Sequence, residues 1–290
     1  MIDRFIQYIE TEKRYSALTV KAYRRDLDRF AQYLKEAYEV RDLTKVTPHL
    51  VKSFLVNLKE EGLSNRSINR MISTLKTFYK YCLREDLLKK SPMAGIRNLK
   101  QPKPLVKFVP ENDINKVSFE KTDDYTIKRD ELLFELLYQT GIRKAELIGL
   151  KDSDVDRSLK RIKVLGKRNK ERYIPVGREL LEMVKHYQAL RDERFGVRPD
   201  RLLLNDKGEE MTPYFVYNKV HRILEGVTSL KQKSPHVLRH TFATHLLDEG
   251  ANLVAIQKLL GHEDLATTQI YAHTTIEQLK QIHKQAHPKG

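Results

Sequence analysis

Ser234-Pro235-His236-Val237-Leu238-Arg239-His240-Thr241-Phe242-Ala243-Thr244-His245-Leu246 is the stretch on which the reading of this chain turns. Ser-Pro is a helix start, because proline fits the first turn, where no backbone donor is needed. Glu249-Gly250 is the matching stop. Between them Leu238, Phe242 and Leu246 recur at helical spacing and form a stripe to be buried. His236 and Arg239, three residues apart near the helix start, share another face and project together from a fixed element. His236, His240 and His245 lie on this one helix but lack a His-Glu-x-x-His arrangement. Cys82 is the sole cysteine, so no metal site is expected and no internal disulfide can form. His240 and His245 are read as packing or supporting residues.

Two further stretches extend the pattern. In Thr140-Gly141-Ile142-Arg143-Lys144-Ala145-Glu146-Leu147, a helix marked by Leu132, Leu133, Leu136 and Leu137 stops at the glycine, and Arg143 opens a new short helix. In Leu260-Gly261-His262-Glu263-Asp264, a helix running from Asn252 ends at a glycine and His262 follows; Tyr271 comes nine residues later. Helix ends beside glycine allow close backbone approach and suit a charged ligand. Two arginines, two histidines and a tyrosine meet the demands of attack on a phosphodiester. Arginines grip nonbridging oxygens through paired hydrogen bonds and keep their charge. A phenol of pKa ~10 needs a base or a cationic field before it can attack. The departing 5′-oxygen needs a proton, which lysine or histidine can supply.

The surrounding chain reads as two domains, and its 290 residues suffice for a core in each. In the first hundred residues, Ile2, Phe5, Ile6 and Ile9 make one helical stripe, and Tyr23, Leu27, Phe30, Ala31 and Leu34 a second. Thr47-Pro48 starts a third helix, and Ser64 caps a fourth, striped by Ile68, Met71, Ile72, Leu75, Tyr79 and Cys82. Cys82 is read as a small core residue. The polar faces carry Lys21, Arg24, Arg25 and Arg29 on the second helix and Arg66, Arg70, Lys76 and Lys80 on the fourth. Asn65, Ser67, Asn69, Ser73 and Thr74 are interleaved there, a mixture that suits phosphate and base-edge contacts. Lys100-Gln101-Pro102-Lys103-Pro104-Leu105-Val106-Lys107-Phe108-Val109-Pro110 has no helical period and reads as an extended linker. Beyond it, Arg161–Leu165 and Arg172–Val176 flank the polar turn Gly166–Lys170, a β-hairpin signal.

Charge points to the partner. The chain carries a net +15, and residues 1–100 hold 21 Lys/Arg against 12 Asp/Glu. A positive surplus concentrated in the N-terminal third fits a nucleic-acid-binding module better than general solubility. No apolar run approaches the ~20 residues of a membrane helix. Met1-Ile2-Asp3-Arg4 carries an acid at once and lacks a secretory h-region. A cytoplasmic protein without a membrane partner is expected.

Taken together, Arg143 in Thr-Gly-Ile-Arg-Lys-Ala-Glu-Leu, His236-x-x-Arg239, Leu-Gly-His262 and Tyr271 resemble the tyrosine recombinase (phage-integrase-type) family, most closely its bacterial Xer branch. Ser16-Ala17-Leu18-Thr19-Val20-Lys21-Ala22-Tyr23-Arg24-Arg25-Asp26-Leu27 is similar to the family's core-binding domain. The resemblance implies a mainly α, two-domain chain. Its parts are a four-helix core-DNA-binding bundle (1–100), a proline-rich linker (101–110), and a mixed α+β catalytic domain (111–290) with a small antiparallel sheet. It implies that Arg143 and Arg239 clamp the phosphate, that His236 assists proton transfer, and that His262 is a third group at the phosphate. It further implies Tyr271 as nucleophile, Glu146 as an acidic support, and a lysine in the hairpin turn that protonates the 5′-oxygen. Lys167 is taken for that lysine, with Lys170 and Arg168 close by. Lys21, Arg25, Arg66, Arg70 and Lys76 are the expected DNA contacts of the bundle.

The implied reaction needs no metal, ATP or other cofactor. Tyr271 forms a 3′-phosphotyrosyl bond and frees a 5′-hydroxyl; a 5′-hydroxyl from a partner duplex then attacks that bond. Family members act as tetramers around two duplexes through a Holliday junction, and a second related recombinase can share the reaction. The Xer branch implies a role in resolving chromosome dimers. A type IB topoisomerase agrees less well with the Xer-like strings. A mobile-element integrase with an arm-binding domain agrees less well with a bundle that starts at Ile2. A noncatalytic DNA-binding protein explains the charge but not the arginine, histidine and tyrosine set. Replacing Tyr271 by Phe removes only a hydroxyl, so Tyr271→Phe is expected to bind DNA normally and form no covalent adduct. An adduct still formed by that variant on nicked DNA would assign the attack to another tyrosine.

Overall fold

Short polar residues start the helices of the N-terminal unit. Helix α1 spans Ile2–Thr11. Ser16 Oγ accepts from the Thr19 amide at the start of α2 (Ala17–Tyr38), Thr47 Oγ1 from the Leu50 amide at α3 (Pro48–Glu60), and Ser64 Oγ from the Ser67 amide at α4 (Asn65–Arg84). These are the four helices expected from the stripes. Their buried faces meet in one core, with Phe5, Phe30, Phe54 and Phe78 among its fully enclosed members. Cys82 lies in that core, and burial pushes its thiol up to about 11. The computed structural model describes residues 1–101, 107–166, 170–196 and 200–261. The chain divides into two compact units, Met1–Pro104 and Leu105–Gly290.

The polar face of α4 departs from the sequence reading. Asn65, Asn69 and Thr74 are not free for base or phosphate contacts. The Asn69 amide group donates to Leu99 O at 2.9 Å and accepts from the Leu99 amide at 2.7 Å, while Asn65 donates to Lys100 O at 2.9 Å. These side chains satisfy the backbone of the segment leaving the bundle, which has no strand or helix partner of its own. Thr74 is buried and donates to Asp26, which also receives Arg70. On α2, Arg24 and Arg29 are paired with Asp3 and Glu61. Lys21, Arg25, Arg66 and Lys76 stay exposed without an ion pair among the described residues, and Arg70 stays exposed beside its aspartate.

In the second unit, a short α5 (Glu111–Ile114) precedes α6 (Tyr125–Thr140). Helix α6 is buried nearly all round by Leu132, Leu133, Phe134, Leu136, Leu137 and Tyr138, as befits the central helix of a core. Helix α7 (Lys144–Gly149) leads to three antiparallel strands, β1 (Val155–Asp156), β2 (Arg161–Leu165) and β3 (Glu171–Pro175), in the order β1-β2-β3. The hairpin pairs Ile162 with Ile174 and Val164 with Arg172, and the Gly166 amide donates to Lys170 O at 2.8 Å. The third strand begins one residue earlier than its alternation indicates, and two-residue β1 is too short to leave a periodic signal. Helices α8 (Arg178–Phe195), α9 (Pro213–Glu225), α10 (Pro235–Asp248) and α11 (Leu253–Leu260) follow among the described residues, with α8 and α10 packed on α6. Among the described residues no helix is long and apolar enough to cross a membrane.

Gly141 links the core to the site. It caps α6 with φ of +59°, and a Cβ there would lie 2.5 Å from Phe242 Cδ1 and 2.8 Å from Leu260 Cδ2. Both the left-handed backbone and the lack of space demand glycine. Gly141→Ala combines αL strain with overpacking and is expected to destabilise the second unit by about 3 kcal/mol. Urea unfolding of the full chain measures this, and a loss below ~0.5 kcal/mol, typical of neutral surface changes, would refute it.

Candidate active site

The last carbonyls of a helix have no partners within the helix and carry partial negative charge. At the end of α11 the Gly261 amide reaches Gln257 O and Lys258 O. The next three carbonyls each take one arginine. Arg172 Nε donates to Leu259 O at 2.8 Å, Arg239 Nη2 to Leu260 O at 2.6 Å, and Arg143 Nη2 to Gly261 O at 2.8 Å. These arginines come from β3, α10 and the start of α7. Gly261 has φ of +63°, and a Cβ there would lie 3.2 Å from Arg172 Cδ, so the glycine stop admits the guanidinium.

Glu146 ties two of the three together. Its Oε1 accepts from Arg143 Nη1 at 2.8 Å and Arg172 Nη1 at 2.9 Å; its Oε2 accepts from the Arg143 amide at 2.7 Å and Arg172 Nη2 at 2.8 Å. Four bonds fill the acceptor capacity of a carboxylate. Its side chain is 5% exposed. Burial opposes its charge, but the hydrogen bonds from Arg172 and Arg143 prevail and hold its pKa below the ordinary glutamate value. Removing one partner of such a buried pair costs about 3–5 kcal/mol.

Arg239 differs from the other buried arginines. Arg129 is paired with Asp130 and Asp206, and Arg191 with Asp152 and Asp192. Arg239 is 6% exposed, and among the described residues it bonds only carbonyls, Gly141 O at 2.5 Å and Leu260 O. Burial, then the neighbouring Arg143, lower its pKa to about 10. It therefore stays charged at neutral pH, and among the described residues three guanidinium groups meet one carboxylate here. That surplus fits an anion, and Arg143, partly exposed, opens the group to solvent.

His236 lies one turn before Arg239, on the exposed edge of α10. Partial desolvation, then Lys144, His240, Arg239 and Arg143, lower its pKa below the ordinary histidine value. His245, by contrast, is buried: its Nε2 bonds Val109 O at 3.0 Å and its Nδ1 pairs with the Tyr138 hydroxyl at 3.2 Å. It is the packing residue expected, and among the described residues no three metal-ligating side chains converge. The geometry thus gathers Arg143, Glu146, His236 and Arg239. Lys167, Arg168, His262 and Tyr271 lie outside the described residues. Arg172 was missed by the sequence reading. Its signal was an arginine two residues from Ile174, on the core face of the hairpin.

Comparison with known proteins gives the family. The model of the phage integrase family matches residues 107–278, and that of the phage integrase N-terminal SAM-like domain matches residues 2–86. Tyrosine recombinase XerC of Oceanobacillus iheyensis is 38% identical over 100% of this chain and 96% of its own length. Tyrosine recombinase XerD of Listeria innocua is 36% identical over 100% of this chain and 99% of its own. The solved XerH site-specific recombinase bound to palindromic difH substrate, a post-cleavage complex, shares the fold: TM-score 0.72, 23% identity, 97% of this chain and 83% of that one. The chain belongs to the phage integrase family and is a tyrosine recombinase.

The cationic field sets a measurable titration. His236 is expected to titrate below pH 6.5 in the free protein, and Lys144→Ala, which removes a nearby positive charge, to move it upward. NMR titration of the His236 ring checks both. An ordinary or raised value in the wild type, or no upward move in the variant, would contradict the described field.

Proposed function

We propose that this chain is an Xer-type site-specific recombinase that cuts and rejoins duplex DNA in resolving chromosome dimers. The observation that carries the reading is Arg239, a buried guanidinium without a carboxylate partner among the described residues, beside Arg143. A scissile phosphate supplies the missing anion. Both arginines keep unused N–H groups for its nonbridging oxygens, where charge builds as phosphorus becomes five-coordinate. Glu146 holds Arg143 by backbone and side chain at once, so the clamp is set before DNA arrives.

In the reaction, the Tyr271 oxygen attacks phosphorus and the bond to the 5′-oxygen breaks. A lowered pKa leaves His236 neutral near pH 7, able to take the phenolic proton. Lys167 gives a proton to the 5′-oxygen, and His262 adds a further contact to the phosphate. The 3′-phosphotyrosyl bond conserves the energy of the original diester, so a 5′-hydroxyl from a second duplex reseals it through a Holliday junction. Lys21, Arg25, Arg66, Arg70 and Lys76 of the bundle grip the backbone of the duplex. The recombinase works as a tetramer on paired sites in the cytoplasm, with copies of itself or a related recombinase. The identity to XerC and XerD over the full chain supports this assignment.

The test has two parts. DNA covalently captured with the protein from cells is sequenced to find the site; a nicked duplex carrying that site then traps the adduct. Wild type is expected to form the adduct, and Arg143→Ala and Arg239→Ala to slow it by about 10²-fold or more. Arg→Lys should restore little, because the fork geometry is lost. No covalent DNA from cells or on the duplex would refute the recombinase reading, and near-wild-type cleavage by both alanine variants would remove these residues from the clamp.

A further inference from the structure

We propose that Arg172 is a positioning residue for strand cleavage, holding Arg143, through Glu146, in one geometry against the end of α11; this rests on the recombinase reading above. Arg172 Nη1 and Nη2 grip both oxygens of Glu146, and Glu146 in turn holds the amide and guanidinium of Arg143. Arg172 Nε holds Leu259 O at the end of α11, three residues before His262. A Cβ on Gly166, the residue before Lys167, would lie 3.7 Å from Arg172 Nη1 and 4.0 Å from Glu146 Oε1. The hairpin turn thus starts against the same guanidinium. Arg172 commits each of its three nitrogens to one of these bonds, and its side chain is 13% exposed.

Its place in the sheet explains its precision. Arg172 pairs with Val164 and shares the inner face with Ile162 and Ile174, so the strand register and not a flexible surface loop sets its position. A lysine at this place keeps the charge but has one nitrogen, which cannot hold two carboxylate oxygens and Leu259 O in their present directions. Loss of Arg172 frees Glu146 and Arg143 to shift together. A shift of the order of 1 Å in a reacting group lowers a rate by about 10²-fold.

The experiment uses the full chain and two nicked duplexes carrying the captured site. One has the ordinary scissile phosphate; the other has a methylphosphonate there, which carries no charge and so relies less on a cationic clamp. Arg172→Lys and Arg172→Gln are compared with wild type for gel-shift affinity and adduct rate. Both variants are expected to bind DNA within a few-fold of wild type. On the phosphate they should cleave about 10²-fold slower, and on the methylphosphonate the defect should shrink to about 10-fold or less. Arg172→Lys, which keeps charge and bulk, keeps the test informative where Arg172→Gln does not fold. Equal defects on the two duplexes would mean a general structural loss and overturn the proposal, as would wild-type rates in the lysine variant. Failure of wild type itself to form an adduct would instead overturn the recombinase reading.

Discussion

Glu146 accepts four hydrogen bonds in a place closed to water, and the candidate site is arranged around it. An isolated buried carboxylate would be costly. Here the cost is offset by Arg143 and Arg172, which it fixes in return. Each of those arginines has a second attachment on the end of α11, and Arg239 takes the carbonyl between them. A strand and three helices thus meet through one acid and a row of backbone oxygens. The apolar core brings the elements together, but it has no direction; these bonds set angles and spacing.

The charge balance carries the chemistry. Elsewhere in the unit, buried arginines are neutralised by aspartates, as at Arg129 and Arg191, and their task is complete within the fold. At Arg239 backbone dipoles stand in for a countercharge. Dipoles occupy two of its donors without cancelling the charge, and burial, then Arg143, lower its pKa. Under the proposed function, a site held in this condition favours an incoming anion whose charge grows along the reaction, so its stabilisation is greatest in the transition state.

Much of this was legible in the sequence because it rests on local rules. Helix stripes of period 3.6, the threonine and serine caps, the glycine stops at Gly141 and Gly261, and the hairpin alternation each follow from neighbours a few residues apart. The His236 and Arg239 pair was legible for the same reason. What the sequence hid depends on distant partners. Nothing near Asn69 in the chain says that it holds Leu99, so it resembled a DNA contact until the fold supplied an internal one. Arg172 was hidden because its acid lies 26 positions away. Nor does any local feature separate Arg239 from Arg191, since only packing decides which arginine receives an aspartate.

The end of α11 has a consequence for how the chain can vary. Successive residues of an α-helix are turned by about 100° and advanced by ~1.5 Å. Three neighbouring carbonyls aimed at three arginines on separate elements therefore form a phase-sensitive lock. Side chains on α11 can be exchanged wherever the core tolerates their volume, because the bonds fall on the backbone. An added or deleted residue between Asn252 and Gly261 rotates all three carbonyls out of register together. The helix is thus free in composition and rigid in length, and sequence drift can rewrite its letters but cannot change their number.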